Sequence, residues 1–133
     1  MAYIRKNKTT LSAAILERSQ KSIDYATSVI FQSVLAPYVS AIYLYGSCAR
    51  NMQRYSSDVD IFLELDKGCD AELFHSEIIN LIASVSPPDA MLPEVDLRVE
   101  VGEAWKSDGS VFHKQILKEG RLLWGGQKIQ QVT

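Results

Sequence analysis

The chain has 133 residues, of which 47% are hydrophobic and 23% charged, and its formal net charge is -2 at pH 7. This composition is typical of a globular protein, and the near-neutral charge argues against strong nucleic-acid binding. No apolar stretch is long enough to span a membrane, and the opening MAYIRKNKTT lacks the apolar segment of a signal peptide. We therefore expect a cytoplasmic protein with a single domain over residues 1–133.

The first half of the chain predicts one long helix and two strands. Apolar residues recur at helical spacing and Pro37 follows them, so an N-terminal helix is expected over about residues 11–35. The β-branched and aromatic stretch Ala41–Tyr45 predicts a strand that ends at a glycine. The stretch Asp58–Leu65 alternates between polar and apolar residues and predicts the second strand.

The second half of the chain adds helices and strands in alternation. The predicted elements are a helix opened by Asp70 and ended by Pro87, a strand over Glu94–Val101, a helix over Val111–Glu119 and a short strand over Arg121–Trp124. A loose tail is expected over Gln127–Thr133. Because only a short connection joins the first two strands, this order predicts an α+β fold, a mixed β-sheet with helices mainly on one face.

Two aspartates open the second predicted strand. Because side chains alternate along a strand, Asp58 and Asp60 are expected on one face, and Asp96 would lie beside them if the second and third strands are neighbours. Three close carboxylates repel one another, and a divalent cation such as Mg²⁺ would offset that repulsion. The alternative is that these acids only solvate an exposed strand face. If Asp96 is remote, Glu64 or Glu100 becomes the candidate third acid.

A glycine–serine pair follows the first predicted strand. Gly46 would let the backbone approach a ligand closely, and Ser47 would add a hydroxyl donor at the start of a helical turn. The pair is not a Walker P-loop, because no Gly-Lys-Ser/Thr follows it, and on its own it is most often just a turn. Together with the three aspartates, the turn predicts a place where phosphates and metal ions meet.

Two motifs resemble a known family. Residues 46–50, Gly-Ser-Cys-Ala-Arg, followed by residues 57–61, Ser-Asp-Val-Asp-Ile, resemble the signature of the DNA polymerase β nucleotidyltransferase superfamily. The pattern is most similar to the minimal nucleotidyltransferases, and the resemblance covers about residues 41–125. It implies a fold like the palm of polymerase β. One departure is Asn51, where the family has glycine, but asparagine tolerates a left-handed turn better than most residues.

The resemblance also implies roles for the site residues. Gly46 and Ser47 would hold the triphosphate of ATP or another nucleoside triphosphate. Asp58 and Asp60 would bind two Mg²⁺ ions, and Asp96 would be the third metal-binding carboxylate, which helps to activate the acceptor hydroxyl.

Three further residues near the motif keep more than one interpretation. Arg50 would contact a phosphate or form an ion pair with an acid. Arg54 and Tyr55, in the linker before the second strand, could touch a nucleotide or a partner protein.

The activity that the resemblance implies is transfer of a nucleoside monophosphate, preferably AMP, to a hydroxyl group. The preferred acceptor is a tyrosine on a small helical RNA-cleaving toxin, to which this chain would be the antitoxin. The alternative is an antitoxin that binds its partner with little or no catalysis. A small-molecule acceptor of the aminoglycoside type is less favoured, because those enzymes need a further domain. The sequence leaves the oligomeric state and the role of the N-terminal helix open.

Overall fold

The computed structural model describes the backbone of residues 2–125 and the side chains of residues 13–125. The helices are α1 (Ala2–Gln32), α2 (Gly46–Ala49), α3 (His75–Ser84) and α4 (Val111–Glu119), and the strands are β1 (Val39–Tyr45), β2 (Val59–Leu65), β3 (Val95–Val101) and β4 (Arg121–Trp124). Two short 3₁₀ segments cover Ala36–Tyr38 and Ala104–Ser107. The predicted tail Gln127–Thr133 lies outside the described residues.

The first helix is longer at its start than its apolar pattern predicts. It begins at Ala2 rather than near residue 11, because no glycine or proline interrupts its polar first turns. It ends at Gln32, before the predicted residue 35. There the Ser33 hydroxyl donates to the carbonyl of Ile30 at 2.7 Å and accepts from the Leu35 amide at 3.2 Å, which closes a turn instead of continuing the helix. No helix in residues 2–125 is both long and apolar enough to cross a bilayer.

The four strands form one mixed sheet in the order β3-β2-β1-β4. β1 pairs antiparallel with both β2 and β4, whereas β2 and β3 run parallel. The parallel pair needs a crossover connection, and α3 lies in that connection. The predicted α+β fold with a mixed sheet is therefore confirmed.

The two faces of the sheet are covered differently. The longer helices α1 and α3 pack on one face, where apolar side chains from both helices and from β1, β2 and β3 form the main core. Short elements cover part of the opposite face, where Phe62 of β2 packs against Trp105 and Ile116, all at most 2% exposed. Nearer the start of β2, the same face carries the polar residues Asp60 and Asp96, which pair across β2 and β3.

Substitution of Phe62 tests the packing of Phe62, Trp105 and Ile116 on the opposite face of the sheet. Phe62→Ala should lower the free energy of unfolding by about 3–5 kcal/mol, because it removes a fully buried ring and leaves a cavity. Urea denaturation followed by circular dichroism measures the change. The matched control is Leu73→Ala, whose side chain is 75% exposed and should change stability by less than about 0.5 kcal/mol. Equal losses in the two variants would contradict this description of the core.

Candidate functional site

A row of polar side chains crosses three strands at one end of the sheet. Asp60 of β2 pairs with Tyr45 of β1 on one side and with Asp96 of β3 on the other. Asp58 precedes β2 by one residue and is exposed. The prediction that the second and third strands are neighbours is thus confirmed, and Asp96 lies beside Asp60.

The surroundings of the Asp60 carboxylate perturb its ionisation. Its partial burial raises its pKa above the ordinary value of 3.8, and the nearby charges of Asp96 and then Asp58 raise it further. The guanidinium of Arg98 acts in the opposite direction and lowers it. A site that holds negative charges this close has a physical use for a bound cation.

The donor set fits a hard divalent cation that is completed by other ligands. Within residues 13–125, no three His, Cys, Asp or Glu side chains converge closely enough to hold a metal ion by themselves. Mg²⁺ commonly takes only one or two carboxylates and completes its shell with water and substrate phosphates. Asp58, Asp60 and Asp96 supply oxygen ligands of that kind, so the residues suit a metal that arrives with a phosphorylated ligand.

The turn after β1 lies directly against the carboxylate of Asp60. Gly46 has a φ of +71°, and a Cβ atom at this position would collide with the Oδ2 atom of Asp60. Only glycine therefore lets the backbone pass so close to the carboxylate. The Met52 amide donates to the carbonyl of Ser47 at 2.9 Å, and Asn51 has a φ of +55°, so asparagine does adopt the left-handed turn expected of it.

Two neighbours of the acids had no role assigned from the sequence. The pKa of Tyr45 is raised to about 12, chiefly by burial and then by Asp60 and Asp96. Arg98 forms a hydrogen bond with Tyr45, and its guanidinium carbon lies 4.6 Å from the centre of the Phe112 ring. The signal that could have found Arg98 is strand alternation, because it follows Asp96 by two residues on the same face.

Arg50 forms the ion pair that was one of its two predicted interpretations. Its Nη1 atom lies 3.6 Å from the Oε2 atom of Glu119 on α4, and both side chains are about a third or more exposed. An exposed pair of this kind contributes little to stability and can be broken by a competing anion. A contact between Arg50 and a phosphate remains a prediction.

The acids that were considered as replacements for Asp96 are engaged elsewhere. Glu64 is 2% exposed and accepts a hydrogen bond from the indole Nε1 of Trp105 at 2.9 Å. The carboxylate of Glu100 lies 3.7 Å from the Nε2 atom of His113. Both pairs lie farther along β2 and β3 than Asp60 and Asp96. They join these strands to the elements that cover this face.

One family model matches most of the chain, and solved structures share its fold. The family model described as "Polymerase beta, Nucleotidyltransferase" matches residues 30–129. A candidate nucleotidyltransferase from Sulfolobus solfataricus has a similar structure, with 18% identity and a TM-score of 0.50 over 90% of this chain and 88% of that one. A toxin–antitoxin structure with AMP-PNP is similar over 82% of this chain and 77% of that one, with 23% identity and a TM-score of 0.52. No curated protein matches the chain by sequence.

Replacement of Gly46 tests the contact between the turn and Asp60. Gly46→Ala should lose about 1–2 kcal/mol of stability from its left-handed backbone, and should also displace the Asp60 carboxylate. Gly109→Ala is a matched control, because Gly109 has a φ of +78° but an added Cβ would meet nothing within 4 Å. Urea denaturation should show a loss in both variants. Only Gly46→Ala should also change the NMR chemical shift of the Asp60 carboxyl carbon, and an unchanged shift in that variant would contradict the contact.

The raised pKa of Asp60 predicts a pH-dependent stability in the metal-free protein. Because the pKa of Asp60 is higher in the folded chain than its ordinary value of 3.8, the folded state holds this proton more tightly than the unfolded state does. The free energy of unfolding is therefore highest below pH 3.8 and falls as the pH rises through the raised pKa. Asp60→Asn, which never ionises, should therefore be more stable than the native chain at neutral pH. The difference should disappear below pH 3.8. Urea denaturation across this range with a chelator present measures it, and a less stable Asp60→Asn at neutral pH would refute it.

Proposed function

Because the chain belongs to the polymerase beta nucleotidyltransferase family, and so is a transferase, we propose that it moves a nucleoside monophosphate from ATP or a related triphosphate to a hydroxyl group. The observation that carries this proposal is the pairing of Asp60 with Asp96 across parallel strands, beside the turn at Gly46. This arrangement brings carboxylates and a closely approaching backbone together at one end of the sheet.

In this proposal the acids hold the metal and the turn holds the phosphates. Asp58, Asp60 and Asp96 would be the ligands of Mg²⁺, which when bound polarises phosphate oxygens and offsets the charge that develops during transfer. Burial, and then repulsion from Asp96 and Asp58, raise the pKa of Asp60, and a bound cation would offset that repulsion. Gly46 and Ser47 would bind the triphosphate, with Arg50 as a further contact once it leaves Glu119.

The chemical step is a displacement at the α-phosphorus. A bond forms between the acceptor oxygen and the α-phosphorus, the bond to the β-phosphate oxygen breaks, and pyrophosphate leaves. The proton of the acceptor hydroxyl has to be removed. Asp96 is the exposed member of the paired acids and is the one that we assign to orient that hydroxyl and receive its proton.

The acceptor that we propose is a tyrosine hydroxyl on a partner protein, a small helical toxin, with this chain as its antitoxin. The resemblance to minimal nucleotidyltransferases supports this choice, as does the similar fold of the toxin–antitoxin structure with AMP-PNP.

The test follows the label from ATP to the partner. The purified chain is mixed with Mg²⁺, the protein encoded beside it and ATP labelled on the α-phosphate, and the partner should gain the label as AMP. ATP labelled on the γ-phosphate should leave the partner unlabelled, because pyrophosphate carries that label away. Asp58→Asn, Asp60→Asn and Asp96→Asn should each lower the rate at least about 100-fold, since even indirect metal contacts are worth 10–100-fold.

Asp24→Asn is the matched control, because it makes the same change at an exposed position on α1 and should keep the rate. Label that persists in the Asp58, Asp60 or Asp96 variants would show that the site is elsewhere. If the two proteins bind tightly but neither gains label, the chain acts as a partner-binding antitoxin without catalysis.

A further inference from the structure

Arg18 on α1 joins two loops that are distant in the sequence. Its Nη1 atom donates to the carbonyl of Tyr55 at 3.0 Å, and its Nε and Nη2 atoms donate to the carbonyl of Met91 at 3.1 and 2.6 Å. Its guanidinium carbon also lies 3.7 Å from the centre of the Tyr55 ring. A planar guanidinium has donors in a fixed arrangement and can hold two carbonyls at once, which a lysine ammonium does less well.

The Tyr55 loop leads directly into the acid-bearing start of β2. The amide of Arg54 donates to the hydroxyl of Ser57 at 2.8 Å, and the amide of Ser57 donates to the carbonyl of Arg54 at 3.0 Å. These two bonds close the turn that contains Tyr55, and Asp58 is the next residue. Because the turn is closed, the position of Tyr55 determines the position of Asp58.

The Met91 loop leads in the same way into β3. The hydroxyl of Ser22, one helical turn after Arg18, donates to the carbonyl of Pro93 at 2.7 Å. The carbonyl of Glu94 then accepts from the amide of Val59 at 2.9 Å, next to the first paired residues of β2 and β3. Contacts from α1 therefore hold both loops at the end of the sheet where the acids lie.

We propose that Arg18 is a positioning residue for nucleotidyl transfer. By holding the Tyr55 and Met91 loops together, it keeps Asp58 and Asp96 at the separation that a shared metal–nucleotide complex requires. This inference rests on the proposed function, since it assigns to Arg18 an effect on a ligand that the acids bind. It gives the long first helix a role in the site as well as in the core.

The test measures how tightly the full chain binds Mn²⁺ together with α,β-methylene-ATP, which cannot be cleaved, by electron paramagnetic resonance. Arg18→Met keeps an unbranched side chain but removes every donor, and should weaken binding about 10- to 100-fold, as for other residues that orient metal ligands. Arg18→Lys keeps the charge and can reach one carbonyl at a time, so it should recover part of the loss.

Two controls separate positioning from charge and from stability. Lys21→Met removes the same charge from the same helix at an exposed side chain that pairs with Glu17 at 3.7 Å, and should bind like the native chain. Leu81→Ala removes a buried side chain of α3 from the main core and should also keep the affinity as long as circular dichroism shows it folded.

The outcomes distinguish this inference from the function on which it rests. A native chain that binds no Mn²⁺–nucleotide complex refutes the proposed function and the inference with it. If the native chain binds but Arg18→Met binds as tightly as Lys21→Met, the inference alone is wrong. Should Arg18→Met fail to fold, Arg18→Lys decides the question, and native affinity in that variant overturns the role of Arg18.

Discussion

The parallel pairing of β2 and β3 sets two aspartates side by side, and the rest of the site is arranged around that pairing. Asp60 and Asp96 are opposite each other in register; burial raises the pKa of Asp60, and repulsion from Asp96 raises it further. The strands tolerate this repulsion because their other faces are apolar and buried, with Ile61 and Leu97 in the main core. Core packing on one face thus maintains an unfavourable electrostatic arrangement on the other, as is common at functional sites.

The face that carries the acids changes character along the strands. The first row across the sheet is Tyr45, Asp60 and Asp96, and it is at least partly open to solvent. The next row contains Phe62, which is fully buried beneath Trp105. The same strands therefore carry polar residues for a charged ligand at one end. Two residues later they carry an aromatic layer that fixes the position of the strands. A site on rigid strands holds its ligands more accurately than one built on loops alone.

Local patterns predicted much of this arrangement. Alternation placed Asp58 and Asp60 on one face, and the short connection to the first strand indicated a mixed sheet, because both depend only on neighbouring residues. The start of α1 was missed because a polar helical turn has no apolar period to reveal it. Arg50 was left with two interpretations, and its pairing with Glu119 joins residues on different elements that no spacing rule connects.

The sequence by itself determined the element types, the family resemblance and the residues with suitable chemistry, since these depend on side-chain identity and short-range periodicity. Only the tertiary structure decided that Asp96 pairs with Asp60, because strand order depends on which apolar faces pack together. It also decided the surroundings of the acids, namely the turn at Gly46, the guanidinium of Arg98 and the loops held by Arg18. These contacts bring together segments far apart in the chain, so they exist only once the sheet and α1 have packed.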